Sequence, residues 1–251
     1  MKPYLSIILP SYNERKNISR GVLDEVYAFL KDYEKSWELI LSDDGSTDGT
    51  IEKLKEFSQK DRRIIVVANE HKGKGPTVKS GMLKAQGNWR LFTDFDQSTP
   101  LREVRKLLKY TAEHEVIFGS REIIGAKREK EPFYRHIMGR GFNLLVQLLA
   151  VPGTQDTQCG FKLFSEKAAT QLFNSLYIYS GQNQRQGAFT GAFDVELLYL
   201  AKKYEFNMKE VPILWKHFQT DRVNPIRDSF LMFADILRIK MADWTNKYPK
   251  K

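Results

Sequence analysis

The chain of 251 residues has one cysteine, Cys159. A single thiol closes no internal disulfide and builds no cysteine-based metal cluster, so a reducing, cytoplasmic setting is expected. No apolar run reaches the roughly 18 to 20 residues that cross a bilayer. The first apolar run, Leu5 to Leu9, is too short for a secretory signal and has no small-residue cleavage site after it. Contact with lipid is therefore expected to be peripheral. Internal repeats, low-complexity tracts and linkers are also lacking, so residues 1–251 read as one domain.

What is present excludes other classes. Hydrophobic residues make up 41% and aromatic residues 12%, too many for a disordered chain. The net charge of +9 points to an anionic partner: a nucleic acid, a phosphorylated ligand or an acidic membrane face. No RNP, zinc-finger or helix-turn-helix signature accompanies that charge, and no nucleic acid is expected as a partner.

Strand-like and helix-like segments alternate. Apolar runs at 5–9, 38–41, 64–67 and 89–93 predict strands. Helical spacing falls between them, with Val22, Val26, Phe29 and Leu30 on one face. Helices are expected at 50–58 and 75–86. This alternation predicts an α/β fold with a mostly parallel sheet flanked by helices, and ligands at the carboxyl ends of its strands. Beyond residue 100 the pattern loosens. A basic amphipathic helix is expected over 101–113, a short strand at 116–118, a charged loop at 122–133 and an apolar helix at 134–150. Strands near 161–164 and 208–212 and helices at 194–204 and 226–244 complete the reading. The last helix aligns Phe230, Phe233, Leu237, Met241 and Trp244, a stripe that suits a membrane surface, a core or a dimer seam.

Acidic clusters fall at the predicted strand ends. Asp94-Phe95-Asp96 follows Leu91-Phe92-Thr93, and two carboxylates one residue apart can converge on a hard divalent cation such as Mg²⁺ or Mn²⁺. Asp43-Asp44-Gly45-Ser46 ends the second strand. Asp48, four residues on, suits a ligand or the cap of the next helix. His71-Lys72-Gly73-Lys74-Gly75 combines glycines that let backbone approach a phosphate with lysines that supply charge. It lacks the spacing of a Walker loop.

Together and in this order, these segments resemble the family 2 glycosyltransferases. Within them the chain is most similar to the dolichyl-phosphate glucosyltransferase and polyprenyl-phosphate sugar transferase branch. Supporting stretches include Ser6 to Glu14, Ser42 to Thr50, Lys72 to Gly75, Thr93 to Thr99, Gly119-Ser120-Arg121, Asp156 to Lys162 and Phe193 to Leu198. The resemblance implies a GT-A type, Rossmann-like sheet, with residues 1–100 binding nucleotide-sugar and 101–251 binding acceptor. It implies that Pro10, Tyr12, Glu14, Asp44, Lys74, Asp94 and Asp96 bind the donor, and that Asp94, Asp96 and Gln97 hold the metal. The implied catalytic residues are Arg121, in contact with phosphate or the acceptor, and Asp156, as a base or a positioning residue on the acceptor side. The implied donor is UDP-glucose first and GDP-mannose second; the implied acceptor is a polyprenyl phosphate at a membrane. A family 2 enzyme acting on a saccharide or protein hydroxyl would share the donor site. Phe95 stands where the family usually has a small residue, which suggests altered packing near the sugar.

Overall fold

The computed structural model describes residues 2–129, 150–180, 192–218 and 225–249, with backbone alone for 225–230. Two expected features, the apolar helix over 134–150 and an acceptor lid in the Gly-, Gln- and Ser-rich loop 179–191, fall almost wholly outside the described residues.

The central sheet forms where the apolar runs are continuous. Strand β1 (Leu5–Ser11) and strand β2 (Trp37–Asp43) are buried along their whole length. Such runs mark strands covered on both faces. With β3 (Ile64–Ala68), β4 (Trp89–Thr93), β5 (Val116–Ser120), β7 (Phe161–Ser165) and β8 (Met208–Pro212), they make a seven-stranded sheet in the order β3-β2-β1-β4-β7-β5-β8. The ladders β1–β2, β1–β4, β2–β3 and β5–β8 are parallel, whereas β7 runs antiparallel to both its neighbours. Parity sorts the side chains. Ile8, Ile40, Phe92 and Phe164 face one core with α4 (Lys74–Lys84), α6 (Glu166–Ser175) and α7 (Phe193–Lys203). Ile7, Leu9, Leu39, Leu41 and Leu91 face the other with α2 (Val22–Lys31) and α3 (Thr50–Ser58). The short α1 (Arg15–Ser19) sits between β1 and α2 in the chain. Close packing of α4 on the sheet needs Gly81, where a Cβ would come within 2.6 Å of Ile8 Cγ2.

The strand order places the site. From β1 the chain moves outward to β2 and β3, then returns to place β4 on the other side of β1. A ligand crevice forms at such a switch point. Pairing of β1 with β4 stops at Ile8 and Phe92, so Pro10 to Glu14 and Asp94 to Gln97 border the opening between the two strands.

Several expectations change. Residues 101–110 form a 3₁₀ turn (Leu101–Glu103), a four-residue α5 (Val104–Leu107) and a second 3₁₀ turn (Leu108–Tyr110), not one long helix. The buried Leu101, Val104 and Leu107 recur every third residue, the period of a 3₁₀ winding. Two of the cations here are engaged at the surface, Arg105 with Glu34 and Lys106 with Glu103. The expected loop contains β6 (Lys127–Glu129), which pairs in parallel with β9 (Leu214–Lys216) as a small second sheet. Helix α6 was not anticipated, although Ser165 caps it by accepting from the Ala168 amide and the apolar Ala168, Ala169, Leu172 and Phe173 follow. Helix α8 (Pro225–Trp244) matches the expected last helix.

Candidate active site

The crevice is built from three strand ends and one helix start. At the end of β2, Asp44 is buried and saturated. It accepts from the Lys72 amide at 2.9 Å, the Gly73 amide at 3.0 Å and Thr77 Oγ1 at 2.8 Å, and its Oδ2 lies 2.9 Å from His71 Nδ1. Asp44 thus fixes the loop from 71 to 77. That loop carries His71 under the Tyr12 ring, stacked at 4.1 Å between centroids and 13° between planes. A flat aromatic shelf results at the end of β1. Asp43 receives Ser11 and Ser46, and Asp48 accepts from the Thr50 amide and hydroxyl and from the Arg15 amide. Asp48 therefore ties the starts of α3 and α1 together. Glu14 lies in the same corner, with its amide on Thr50 Oγ1 and its carboxylate on Asn17.

The acidic centre lies where β4 ends. Lys74, the first residue of α4, pairs with Asp94. Burial works against the Lys74 ammonium, but Asp94, Asp194 and Asp96 outweigh it and hold its pKa above the ordinary value. Asp96 accepts from the Ser98 amide and hydroxyl, both at 2.8 Å. Burial and the neighbouring Asp94 charge raise its pKa. Gln97 adopts a left-handed backbone, φ 54°, and its side-chain amide donates to the Asp94 carbonyl at 3.0 Å. It closes the turn that presents both aspartates. Phe95 points away into the core shared with Leu9, Leu101 and Phe161, which corrects the expectation that its ring alters packing near a sugar.

A second ion pair stands beside this centre. Lys162 on β7 is completely buried, at a core-facing position between Phe92 and Phe118. Its Nζ lies 2.5 Å from Asp194 Oδ1, at the start of α7, and 2.5 Å from the Cys159 carbonyl. Three carboxylates, Asp94, Asp96 and Asp194, thus face two ammonium groups, Lys74 and Lys162. The net negative charge and the hard oxygen donors fit a divalent cation held by Asp94 and Asp96 and completed by phosphate oxygens. Among the described residues no cluster of three or more acidic, histidine or cysteine side chains could hold a metal alone.

The loop before β7 joins this centre to the candidate catalytic pair. Asp156 accepts from Arg121 Nε at 2.7 Å, from Nη2 at 2.8 Å and from the Arg121 amide at 2.9 Å. Burial would raise the Asp156 pKa, but the Arg121 guanidinium outweighs it and holds the carboxyl below its usual range. Glu210 on β8 accepts from the Asp156 amide at 2.7 Å and fixes the loop backbone. Four residues later Gly160 lies against the Asp94 carboxylate, so the pair and the acidic centre are within about 14 Å along the chain. A Cβ on Gly160 would collide with Asp94. Gly160→Ala is expected to displace Asp94 and lower transfer on the order of a hundredfold, since small misplacements of reacting groups carry such effects. Steady-state transfer rates beside a thermal melt would check this.

Sequence reasoning missed Lys162 as a site residue, because a lysine after Gly-Phe gives no sign of complete burial. Asp194 stood in the sequence as a further candidate for base or positioning residue, or as the cap of its helix; its place beside Lys162 and Lys74 was not legible.

Comparisons with known proteins agree with this architecture. The Glycosyl transferase family 2 model matches residues 6–173. A dolichyl-phosphate beta-glucosyltransferase of Dictyostelium discoideum is 33% identical over 252 residues, covering 94% of this chain and 74% of that protein. Among solved structures, glucosyl-3-phosphoglycerate synthase from Mycobacterium tuberculosis, in complex with Mn²⁺, uridine diphosphate and glucosyl-3-phosphoglycerate, superposes with a TM-score of 0.62 at 17% identity. That match covers 99% of this chain and 82% of the other. The mannosyltransferase PcManGT from Pyrobaculum calidifontis, in complex with GDP-Man and Mn²⁺, gives 0.62 at 17% identity, covering 95% of this chain and 65% of that longer one. These two neighbours share the fold, and the matched family model, spanning the strand ends that build the crevice, places this chain in glycosyl transferase family 2.

Proposed function

We propose that the chain is an inverting hexosyltransferase that moves glucose from UDP-glucose onto a polyprenyl or dolichyl phosphate, working peripherally at the cytoplasmic face of a membrane. The observation that carries this reading is the acidic centre of Asp94, Asp96 and Lys74 beside the Arg121–Asp156 pair. The name of the Dictyostelium relative supports the hexose and the lipid phosphate. The Mn²⁺ in the two solved neighbours supports a divalent cation, Mg²⁺ or Mn²⁺, held by Asp94 and Asp96 with Gln97 shaping the turn. That cation would supply positive charge to the leaving diphosphate, where negative charge develops.

The chain's own residues do the rest. Tyr12, on its His71 support, offers a stacking face for the base. Pro10 and Glu14 shape that corner, and Asp44 acts through the 71–77 loop. Lys74 adds positive charge beside the diphosphate. Arg121, oriented by Asp156, offers its remaining guanidinium edge to the acceptor phosphate. A phosphate acceptor is already an anion and needs little base assistance, which suits a site whose nearest carboxylate is committed to an arginine.

The test is a transfer assay with a panel of radiolabelled nucleotide sugars, Mg²⁺ or Mn²⁺ and a short polyprenyl phosphate. Organic-extractable label from UDP-glucose is expected, with GDP-mannose next. Metal-dependent hydrolysis of one donor without lipid label would move the acceptor to a saccharide or protein hydroxyl. In the same assay Tyr12→Ala is expected to raise the donor KM up to about tenfold with little change in kcat, the scale of one lost stacking contact.

A further inference from the structure

Helix α8 has two faces of opposite character. Ile236, Ile239 and Ala242 are buried against the body of the protein. Leu237, Met241 and Trp244, at helical spacing i, i+4 and i+7, are 46%, 62% and 86% exposed. Large apolar side chains exposed in a row mark an interaction surface.

Charge identifies the partner. Projected around the helix, Arg238 flanks the apolar row on one side and Lys240 flanks it on the other, with Lys247 just beyond the helix end; all three are exposed. The acids of the same stretch are turned inward. Asp235 is buried, bonded by Tyr179 and 3.0 Å from Arg238 Nη1. Asp243 is held by Lys203 and by Tyr199 Oη at 2.5 Å. An apolar row between cations, with acids on the far side, is the arrangement of a helix that lies in a lipid interface. Pairing with a second copy by two-fold symmetry would set the same cations against each other.

We infer that the outer face of α8 seats the protein on an anionic lipid surface, with Leu237, Met241 and Trp244 entering the headgroup boundary and Arg238, Lys240 and Lys247 meeting lipid phosphates. The seat is joined to the active site. Tyr179, which bonds Asp235, packs against Gly75, where a Cβ would lie 3.3 Å from Tyr179 Cβ, and Lys74 immediately precedes that glycine. The inference draws its place in the reaction from the lipid-phosphate reading above, but its test does not depend on that reading.

The test uses vesicles without polyprenyl phosphate. Full-length protein is co-sedimented at low salt with phosphatidylcholine vesicles, with or without phosphatidylglycerol. Binding to the anionic vesicles is expected, and about 100-fold weaker binding to the neutral ones, the sum of three surface cations. Leu237→Glu/Met241→Glu/Trp244→Glu is expected to lose vesicle binding while keeping its circular dichroism and its transfer to a detergent-solubilised acceptor. Absence of binding to anionic vesicles, or equal binding by the triple variant, overturns the inference. So does a wild-type dimer that the triple variant dissociates without any change in vesicle binding, which would make this face a seam between copies.

Discussion

Asp96→Ala is expected to lower hexose transfer by about a thousandfold or more while leaving the protein folded. Asp96 is half of the carboxylate pair that ends β4, and its burial beside Asp94 already disfavours its charge. A buried carboxylate whose pKa is raised destabilises the fold at neutral pH, so removing it should not lower the melting temperature. The loss should fall on transfer, because stabilising charge at the leaving diphosphate typically accounts for two to three orders of magnitude or more. The check is kcat and donor KM across a Mn²⁺ titration, beside a thermal melt without metal. A variant that keeps wild-type turnover in saturating metal would remove Asp96 from the centre. A variant that melts much lower would mean that Ser98, which gives Asp96 two hydrogen bonds, uses it to hold the turn.

The first half of the fold was legible because its physics is local. A strand covered on both faces must be apolar throughout, as β1 and β2 are, and each such run stops where polar groups must emerge. Hence Ser11, Asp43 and Asp94 mark strand ends in the sequence as they do in space. The direction of β7 was not legible. Nothing in Phe161 to Ser165 states that it pairs antiparallel between β4 and β5, since that follows from the path of the intervening chain. The segment 101–110 misled for a different reason. Its cations suggested one helix face, but the buried apolar residues Leu101, Val104 and Leu107 fall three apart, a spacing that suits short turns better than one long amphipathic helix. Helix α6 was readable from its Ser165 cap and apolar spacing.

The site divides in the same way. Paired aspartates and the glycine-lysine loop are contiguous motifs and were read as such. The functions of Asp44 and Lys162 depend on partners distant in sequence. The resemblance implies Asp44 as a donor-binding residue, and in the fold its oxygens are taken up by the 71–77 loop, by His71, Lys72 and Gly73. Lys162 joins Asp194, 32 residues on, to the loop that carries Gly160. Burial of a lysine against Asp194 is a property of the assembled sheet, and no window of sequence contains it.

The Arg121–Asp156 pair yields the other large effect. Asp156→Asn is expected to reduce kcat by one to two orders of magnitude, with donor KM nearly unchanged, and to destabilise the fold by about 2 kcal/mol, because it leaves a partly buried guanidinium without its carboxylate. The stability loss should depend on pH in a definite direction. The Asp156 carboxyl is held below its usual range, so its stabilising effect is present above the unfolded-state pKa and lost as pH falls through the folded one. Wild type and variant should therefore differ at neutral pH and converge only in strong acid. Arg121→Met/Asp156→Leu separates the two roles. An apolar pair of similar volume often recovers the stability of a buried ion pair, but it offers no cation to an acceptor phosphate. Recovered stability with transfer still lost would place Arg121 at the acceptor and Asp156 as its orienting partner. Recovered transfer would reduce the pair to a structural clamp and leave acceptor recognition to other residues. If the Asp156→Asn variant remained as stable as wild type, lost turnover, and no longer showed the fall of wild-type turnover in acid, Asp156 would instead be acting as a base despite its arginine.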